Sequence, residues 1–221
     1  MKKNIRKRRI DCVIYDCDGV LFDSLDANAK LYGRIALAIG REPLTESELQ
    51  YCHTHTVHES LHHMFREDEA LEKRAVEFLK REIDFKDFIV YLKMEPNLLE
   101  TLTTLKQKGI KRAISTNRTT SMPHIMERYG LSPYFDMVVT ALDVANPKPH
   151  PESVEKILEA FKLDRAHVLF VGDSEVDRDT ALAAGVDFVA YKSDGLGADA
   201  VIDDHLALLD FLSNGQQRPR E

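Results

Sequence analysis

The chain has 221 residues, of which 43% are hydrophobic and 30% charged, and these proportions argue against a disordered protein. Its formal net charge of −7 disfavours nucleic-acid binding through bulk electrostatics. No apolar run approaches the roughly 20 residues of a membrane-spanning helix, so we expect neither a nucleic acid nor a membrane as a partner.

The basic segment at residues 1–9 resembles the start of a signal peptide, but Asp11 and Asp16 interrupt the apolar run behind it. We therefore predict a solvated terminus rather than a leader. The cysteines are Cys12, Cys17 and Cys52. Their odd number and the absence of a CxxC pair favour a reducing cytoplasm over a disulfide framework.

Short apolar segments rich in Val, Ile and Phe alternate with helical patterns along the chain. Their apolar character is too continuous for a sheet with one face in water, so it predicts strands buried on both faces. The segments are 10–16, 110–116, 137–141, 167–172, 186–191 and the shorter 200–202. Strands that alternate with helices predict an α/β fold, with a parallel sheet and helices on both of its faces.

Several of the intervening helices have recognisable ends. Asn97, with Glu100 three residues later, predicts a capping box, and Gly109 predicts the end of the same helix. Pro151 predicts the first turn of another helix. Gly185 predicts the end of the helix that contains "VDRDTALAAG".

Residues 24–95 break the alternation, because they show helical periodicity throughout and no convincing strand. About 70 residues is too long for a simple crossover between two strands. The sequence therefore predicts a helical domain, 24–95, inserted into a core domain that is formed by residues 1–23 and 96–221.

Polar side chains follow four of the predicted strands. In a parallel sheet, ligands bind outside the carboxyl ends of the strands, near the point where the strand order reverses. The residues at these ends are Asp16 and Asp18, then Thr116 and Asn117, then Lys148, and finally Asp173 and Asp177. Acidic, hydroxyl, amide and cationic groups are thus expected to converge on one edge of the sheet.

These four segments resemble the motifs of the haloacid dehalogenase-like hydrolase superfamily, in its phosphoglycolate phosphatase and β-phosphoglucomutase-like branch. They read "DCDGV", "STN", "PKP" and "GDSEVD" in chain order. The resemblance covers the whole chain and implies a Rossmann-like core with an inserted α-helical cap. It also implies hydrolysis of a small phosphorylated metabolite as the activity.

The resemblance assigns a role to each residue at the edge. Asp16 is expected to be the nucleophile that forms an aspartyl-phosphate, and Asp18 the group that protonates the leaving oxygen and later deprotonates water. Thr116, Asn117 and Lys148 are expected to bind the phosphoryl group. Asp177 is expected to orient Lys148 or a metal-bound water.

A cation is expected beside these acids, because crowded carboxylates raise each other's pKa unless a positive charge neutralises them. Mg²⁺ suits such a site, since it binds a few carboxylates together with phosphate and water. The resemblance implies that Asp16, the backbone carbonyl of Asp18, and Asp173 hold it.

The sequence leaves other activities open. A phosphomutase of the same branch is possible, although His62 and His63 lie where its cap normally offers an arginine. A phosphonate hydrolase requires a Schiff-base lysine in the cap, for which Lys30 is a candidate. A dehalogenase is disfavoured because that branch lacks the second acid, here Asp18. A silent phosphate-binding or receiver-like signalling domain is disfavoured by the insertion and by the four complete motifs.

The insertion also contains candidate histidine sites. "HESLH" at residues 58–62 matches the HExxH pattern of zinc proteases, but the longer form of that motif does not continue, so a chance match is the preferred interpretation. His53 and His55 are candidate substrate-specificity residues. The alternative is that both are exposed histidines of the cap with no functional role. A monomer and a homodimer are both compatible with the sequence.

Overall fold

The computed structural model describes residues 9–216 of the chain. The chain forms two compact units, one comprising Met1–Phe22 and Met94–Glu221 and the other comprising Asp23–Lys93. The solvated terminus that the sequence predicts falls almost entirely on residues 1–8, outside the described part. We call the first unit the core and the second the cap.

The strands in chain order are β1 (Cys12–Tyr15), β2 (Phe22–Asp23), β3 (Lys93–Met94), β4 (Lys111–Ser115), β5 (Met137–Val139), β6 (Val168–Gly172), β7 (Asp187–Tyr191) and β8 (Ala200–Ile202). Six of them form a parallel sheet in the order β5-β4-β1-β6-β7-β8, and β2 pairs with β3. All six predicted apolar segments contain one strand of the large sheet.

The helices are α1 (Leu25–Ile39), α2 (Glu46–Thr54), α3 (Val57–Phe65), α4 (Glu69–Glu82), α5 (Leu98–Gln107), α6 (Ser121–Arg128), α7 (Glu152–Phe161), α8 (Glu175–Ala184) and α9 (His205–Gln216). Helices α7 and α8 contact each other and the sheet. Helix α5 contacts α9 and β4, and α9 also contacts β8. Both faces are therefore covered, which explains why β1, β6 and β7 are buried along their whole length.

The strand order places β1 at the centre of the sheet. From β1 the chain adds β4 and β5 on one side, then crosses back to add β6, β7 and β8 on the other side. The carboxyl end of β1 is therefore the point at which the strand order reverses, where parallel α/β sheets bind their ligands.

In the cap, α1 contacts α2 and α4, and α3 contacts both of its neighbours in sequence. Capping boxes begin two of these helices, Thr45 with Glu48 at α2 and Thr56 with Glu59 at α3. No helix within residues 9–216 is both long enough and apolar enough to cross a membrane.

The structure corrects three local predictions. Asn97 precedes α5 with a left-handed backbone (φ 60°) and makes no capping bond, because its side chain donates to Asp204 Oδ2 at 2.7 Å. Pro151 lies just before α7 rather than in its first turn. A strand, β3, does occur within residues 24–95; at two residues it is too short to leave a pattern in the sequence.

Candidate active site

The predicted edge residues follow strands that lie side by side. Asp16 comes directly after β1 and its N–H donates to the carbonyl of Val171 in β6 at 3.0 Å, and Thr116 comes directly after β4. Asp173 comes directly after β6. The structure thus places the acids of two motifs and the hydroxyl of a third at one edge of the sheet, with Asp16 and Thr116 buried.

Lys148 links two of the acids. Its Nζ lies 2.7 Å from Asp16 Oδ1 and 2.6 Å from Asp177 Oδ1, and its side chain is only 4% exposed. Burial by itself would lower the pKa of Lys148, but the charges of Asp16 and Asp177 outweigh burial and raise it. Lys148 is therefore a permanent cation beside the carboxylate of Asp16.

Asn117 fixes the backbone of Lys148. Its Nδ2 donates to the carbonyl of Lys148, and its Oδ1 accepts from the N–H of Lys148, both at 3.0 Å. The sequence predicts Asn117 as a phosphate-binding residue, but both polar ends of its side chain are used on Lys148. The side chain of Asn117 therefore fixes the backbone of Lys148, and phosphate binding by Asn117 stays a prediction.

Asp177 has two functions that fit its location in the first turn of α8. It forms a capping box with Ser174, whose hydroxyl lies 2.6 Å from Asp177 Oδ2, and its Oδ1 accepts from Lys148. Gly172 makes this approach possible, because a Cβ at position 172 would lie 2.3 Å from the Cβ of Asp177. The carboxylate that was predicted to orient Lys148 is in direct contact with it.

Three carboxylates form a group that is suited to a cation. One ligand oxygen from each of Asp16, Asp173 and Asp177 lies within 4.8 Å of the others. Burial, and then the charge of Asp177, raise the pKa of Asp16 to about 7 against the opposing effect of Lys148. Burial and the same neighbouring acid also raise the pKa of Asp173. Closely spaced carboxylates whose ionisation is disfavoured by their surroundings are a donor set that fits Mg²⁺.

Gly19 leaves the room that this group needs. Its backbone is left-handed (φ +70°), and a Cβ at position 19 would lie 1.9 Å from Asp173 Oδ2. The glycine of "DCDGV" is therefore required both by the turn after Asp18 and by the close approach of Asp173.

The carboxylate of Asp18 lies outside this group of three. The metal ligand predicted from Asp18 is its backbone carbonyl, and that role stays a prediction. Arg118 binds the carboxylate of Asp18 through two parallel hydrogen bonds, Nε to Oδ2 at 2.7 Å and NH2 to Oδ1 at 2.6 Å. Arg118 is not among the residues that the sequence predicts for the site, because its partner is 100 residues away. The only available signal was its position next to Thr116 and Asn117 at a strand end.

The family model described as "Haloacid dehalogenase-like hydrolase" matches residues 13–191 of this chain. The chain belongs to the haloacid dehalogenase-like hydrolase family. The match spans β1 to the end of β7 and includes every residue of the edge described above. The family predicted from the four motifs is confirmed, and the chain is an enzyme of the hydrolase class.

Similar proteins agree with this assignment. A phosphoglycolate phosphatase of Rhodobacter capsulatus is 28% identical over 195 residues, which is 81% of this chain and 83% of that protein. A solved haloacid dehalogenase superfamily hydrolase, subfamily IA, of Geobacter sulfurreducens is 42% identical and superimposes with a TM-score of 0.78 over 92% of this chain and 96% of its own. A haloacid dehalogenase-like family protein of Streptococcus pneumoniae shares the fold, with a TM-score of 0.80 at 16% identity over 91% of this chain and 98% of its own.

The cap histidines of this haloacid dehalogenase-like hydrolase bind within the cap. His53 Nδ1 lies 3.3 Å from Asn28 Nδ2. His55 stacks on Tyr51, with ring centroids 3.7 Å apart, and Tyr51 stacks on His63 at 3.9 Å. The predicted specificity role of His53 and His55 stays a prediction.

Residues of "HESLH" have other partners within the cap. Glu59 is used in the capping box of α3, and His62 Nδ1 lies 3.1 Å from Glu72 Oε2. Among the described residues, the group of three side chains that could hold a metal ion consists of Asp16, Asp173 and Asp177 and contains no histidine. The candidate Schiff-base residue, Lys30, lies with its Nζ 5.9 Å from the ring centroid of Tyr91 in the cap.

Proposed function

We propose that this hydrolase is a Mg²⁺-dependent phosphatase that releases phosphate from a small phosphorylated metabolite, phosphoglycolate-like or a sugar phosphate, through an aspartyl-phosphate on Asp16. One observation carries the proposal: Asp16 is buried at the reversal point of the sheet, bonded to Lys148, with two further acids close by. The phosphatase of Rhodobacter capsulatus, similar over most of its length, supports the same activity.

The residues divide the reaction between them. An oxygen of Asp16 attacks phosphorus, the bond to the leaving oxygen breaks, and that oxygen keeps the electron pair and takes a proton from Asp18. Water then attacks the phosphorus and gives a proton to Asp18. The bond between phosphorus and Asp16 breaks, which regenerates the carboxylate and releases inorganic phosphate.

Lys148 and Thr116 are suited to hold the phosphoryl oxygens during both steps. Lys148 is held by Asn117 and Asp177 before substrate arrives, so its charge needs little rearrangement to stabilise the phosphoryl group. Thr116 lies on the neighbouring strand end and is buried. Pre-organised donors of this kind are the principal means by which enzymes catalyse phosphoryl transfer.

The carboxylates at the edge of the sheet are suited to bind Mg²⁺ as the cofactor. Asp16, Asp173 and the backbone carbonyl of Asp18 would hold the ion, with Asp177 adjacent. When bound, Mg²⁺ supplies positive charge that offsets both the carboxylates and the phosphoryl oxygens. The three free, buried cysteines support a cytoplasmic location, and the proposed partner is the small substrate alone.

The test is release of phosphate from para-nitrophenyl phosphate, with and without Mg²⁺, by the native chain and by Asp16→Asn. Asp194→Asn, a change at an exposed acid of the core, serves as the matched control. We expect activity that requires Mg²⁺, is absent in Asp16→Asn and persists in the control. Activity that survives in Asp16→Asn, or a native chain that releases no phosphate, contradicts the proposal.

A further inference from the structure

Arg118 connects two loops of the candidate site. Asp18 lies in the turn after β1, where the N–H of Gly19 donates to the carbonyl of Phe22 at 2.8 Å. Arg118 lies in the loop after β4, and its guanidinium spans the gap to bind both oxygens of Asp18. A planar guanidinium that makes two parallel bonds fixes the plane of a carboxylate as well as its position.

Arg118 is itself fixed at several points. Its N–H donates to Thr116 Oγ1 at 3.1 Å, its carbonyl accepts from the N–H of Ala141 at 3.1 Å, and its NH1 donates to Ser121 Oγ at 3.3 Å. Its side chain is 16% exposed. Hydrogen bonds at both the backbone and the side chain restrict the motion of Arg118. Arg118 can therefore hold the carboxylate of Asp18 in one orientation.

The two acids of "DCDGV" therefore have different cationic partners. Lys148 binds Asp16, and Arg118 binds Asp18. The proposed function gives these acids different tasks, attack on phosphorus for Asp16 and proton transfer for Asp18. A separate support for the second acid is what this division of tasks requires.

We propose that Arg118 is a positioning residue, which holds the carboxylate of Asp18 in the orientation from which it exchanges a proton with the leaving oxygen and with water. This inference rests on the proposed function. The bidentate bond is compatible with proton transfer, because a carboxylate oxygen can accept one hydrogen bond and exchange a proton through its second lone pair. Arg118 acts through Asp18 and is not expected to touch the reacting atoms.

A positioning role predicts a specific kinetic change. Phenolate is a poorer leaving group than para-nitrophenolate, so its departure depends more on protonation by a general acid. Misplacing Asp18 should therefore slow the hydrolysis of phenyl phosphate more than that of para-nitrophenyl phosphate. For Arg118→Met we expect kcat/KM to fall by about 100-fold with phenyl phosphate and by about 10-fold or less with para-nitrophenyl phosphate, within the range that general acid catalysis contributes. Arg118→Lys should restore part of the loss, because lysine keeps the charge but not the fork.

Both substrates are assayed with Mg²⁺ for the native chain, Arg118→Met, Arg118→Lys and Arg128→Met. Arg128 is an exposed arginine at the end of α6 and provides the matched control. Arg118→Met is also combined with Asp18→Asn. If the two residues act as a unit, Arg118→Met should lower the activity of the Asp18→Asn variant by less than about 3-fold.

Each outcome decides the question. Three results would overturn the positioning role. The first is a kcat/KM of Arg118→Met equal to that of Arg128→Met, and the second is an equal loss on both substrates with a raised KM. The third is fully additive losses of activity in the double variant. Should Arg118→Met fail to fold, Arg118→Lys carries the test, and native values on both substrates overturn the role. An inactive native chain, or an active Asp16→Asn, removes the proposed function and the inference together; a native chain that behaves as proposed isolates Arg118.

Discussion

The core and the cap of this chain both collect titratable side chains, but they hold them in different ways. In the core, Asp16, Lys148 and Asp177 are buried, and Lys148 forms an ion pair with each of the two acids. In the cap, His55, His58 and His62 are exposed, and the neighbouring Glu59 caps a helix. Buried groups that depend on each other for their charge can be tuned for catalysis.

The difference teaches how to weigh the two motifs. "HESLH" matches a known metal-binding pattern in five residues, yet its Glu59 forms the capping box with Thr56 at the start of α3. "DCDGV" also has only five residues, but it lies at the end of the central strand of a parallel sheet. The position of a motif in the topology decides its meaning here. Substitutions in the buried set should therefore have larger effects than substitutions in the exposed set.

The largest effect is expected for Lys148→Met. The change leaves Asp16 and Asp177 buried without their cation, and breaking a buried ion pair costs about 3–5 kcal/mol of unfolding free energy. Activity with para-nitrophenyl phosphate should also fall by about 100-fold or more, since a pre-organised donor is lost. Urea denaturation and steady-state kinetics measure both, with Lys80→Met on the exposed surface of α4 as the control. Equal stability in the two variants would contradict the buried network.

Gly19→Ala is expected to have the next largest effect. The new Cβ would lie 1.9 Å from Asp173 Oδ2, so Asp173 must move and the group of three carboxylates must open. Misplacement of about 1 Å in a catalytic group costs about 100-fold in rate. Gly33→Ala in α1 is the control, because nothing lies within 4 Å of its added Cβ. A Gly19→Ala enzyme with native kcat and native Mg²⁺ dependence would exclude Asp173 from the site.

A smaller effect is expected for the pH dependence of Mg²⁺ binding. The pKa of Asp16 is raised to about 7 and that of Asp173 is also raised, so protons compete with Mg²⁺ as the pH falls through 7. From Asp16 alone, the folded chain binds more protons than the unfolded chain between pH 4 and 7, so without Mg²⁺ stability falls as the pH rises through that window. The rise in Tm on adding Mg²⁺ should therefore be several degrees at pH 8 and smaller at pH 6.

Thermal unfolding in matched buffers measures the difference between the two Mg²⁺ effects. Asp16→Asn should make the rise in Tm smaller and less dependent on pH. A rise of equal size at both pH values in the native chain would separate Mg²⁺ binding from these carboxylates.

The smallest effect is expected for His62→Ala in the cap. The exposed pair between His62 and Glu72 contributes at most about 1 kcal/mol, and neither residue belongs to the group of three. Phosphate release should stay within about 2-fold of the native value, within the usual small effect of a surface change. Calorimetric titration with Zn²⁺ should give the same isotherm for both proteins. Loss of a strong Zn²⁺ site on replacing His62 would revive the zinc interpretation.

The sequence predicts features that depend on neighbours along the chain. Continuous apolar runs located the strands of the large sheet, because burial on both faces leaves that pattern, and strand ends then located Asp16, Thr116 and Asp173. Gly185 ends α8 with a left-handed backbone, as its position predicts. These signals are local, so one sequence suffices to read them.

The features that the sequence missed depend on distant partners. Asn97 has the composition of a capping box, but Asp204, 107 residues later, takes its side chain. Asn117 is predicted to bind phosphate, but its two bonds to the backbone of Lys148, 31 residues away, have no signal in the sequence. Arg118 had no signal beyond its strand end, because only the folded sheet brings it to Asp18.

The charges at the edge of the sheet have a kinetic consequence. Within residues 9–216, the ion pairs of Asp16, Asp18 and Asp177 include the cations Lys148 and Arg118. These two cations and the four acids Asp16, Asp18, Asp173 and Asp177 together carry a formal charge of −2 when all are ionised. A phosphate dianion that arrived first would meet this uncompensated negative charge, whereas a divalent cation would be drawn in and would cancel it. Binding should therefore be ordered, with the cation before the substrate, and rapid mixing should show a lag only when the enzyme and the metal are mixed last.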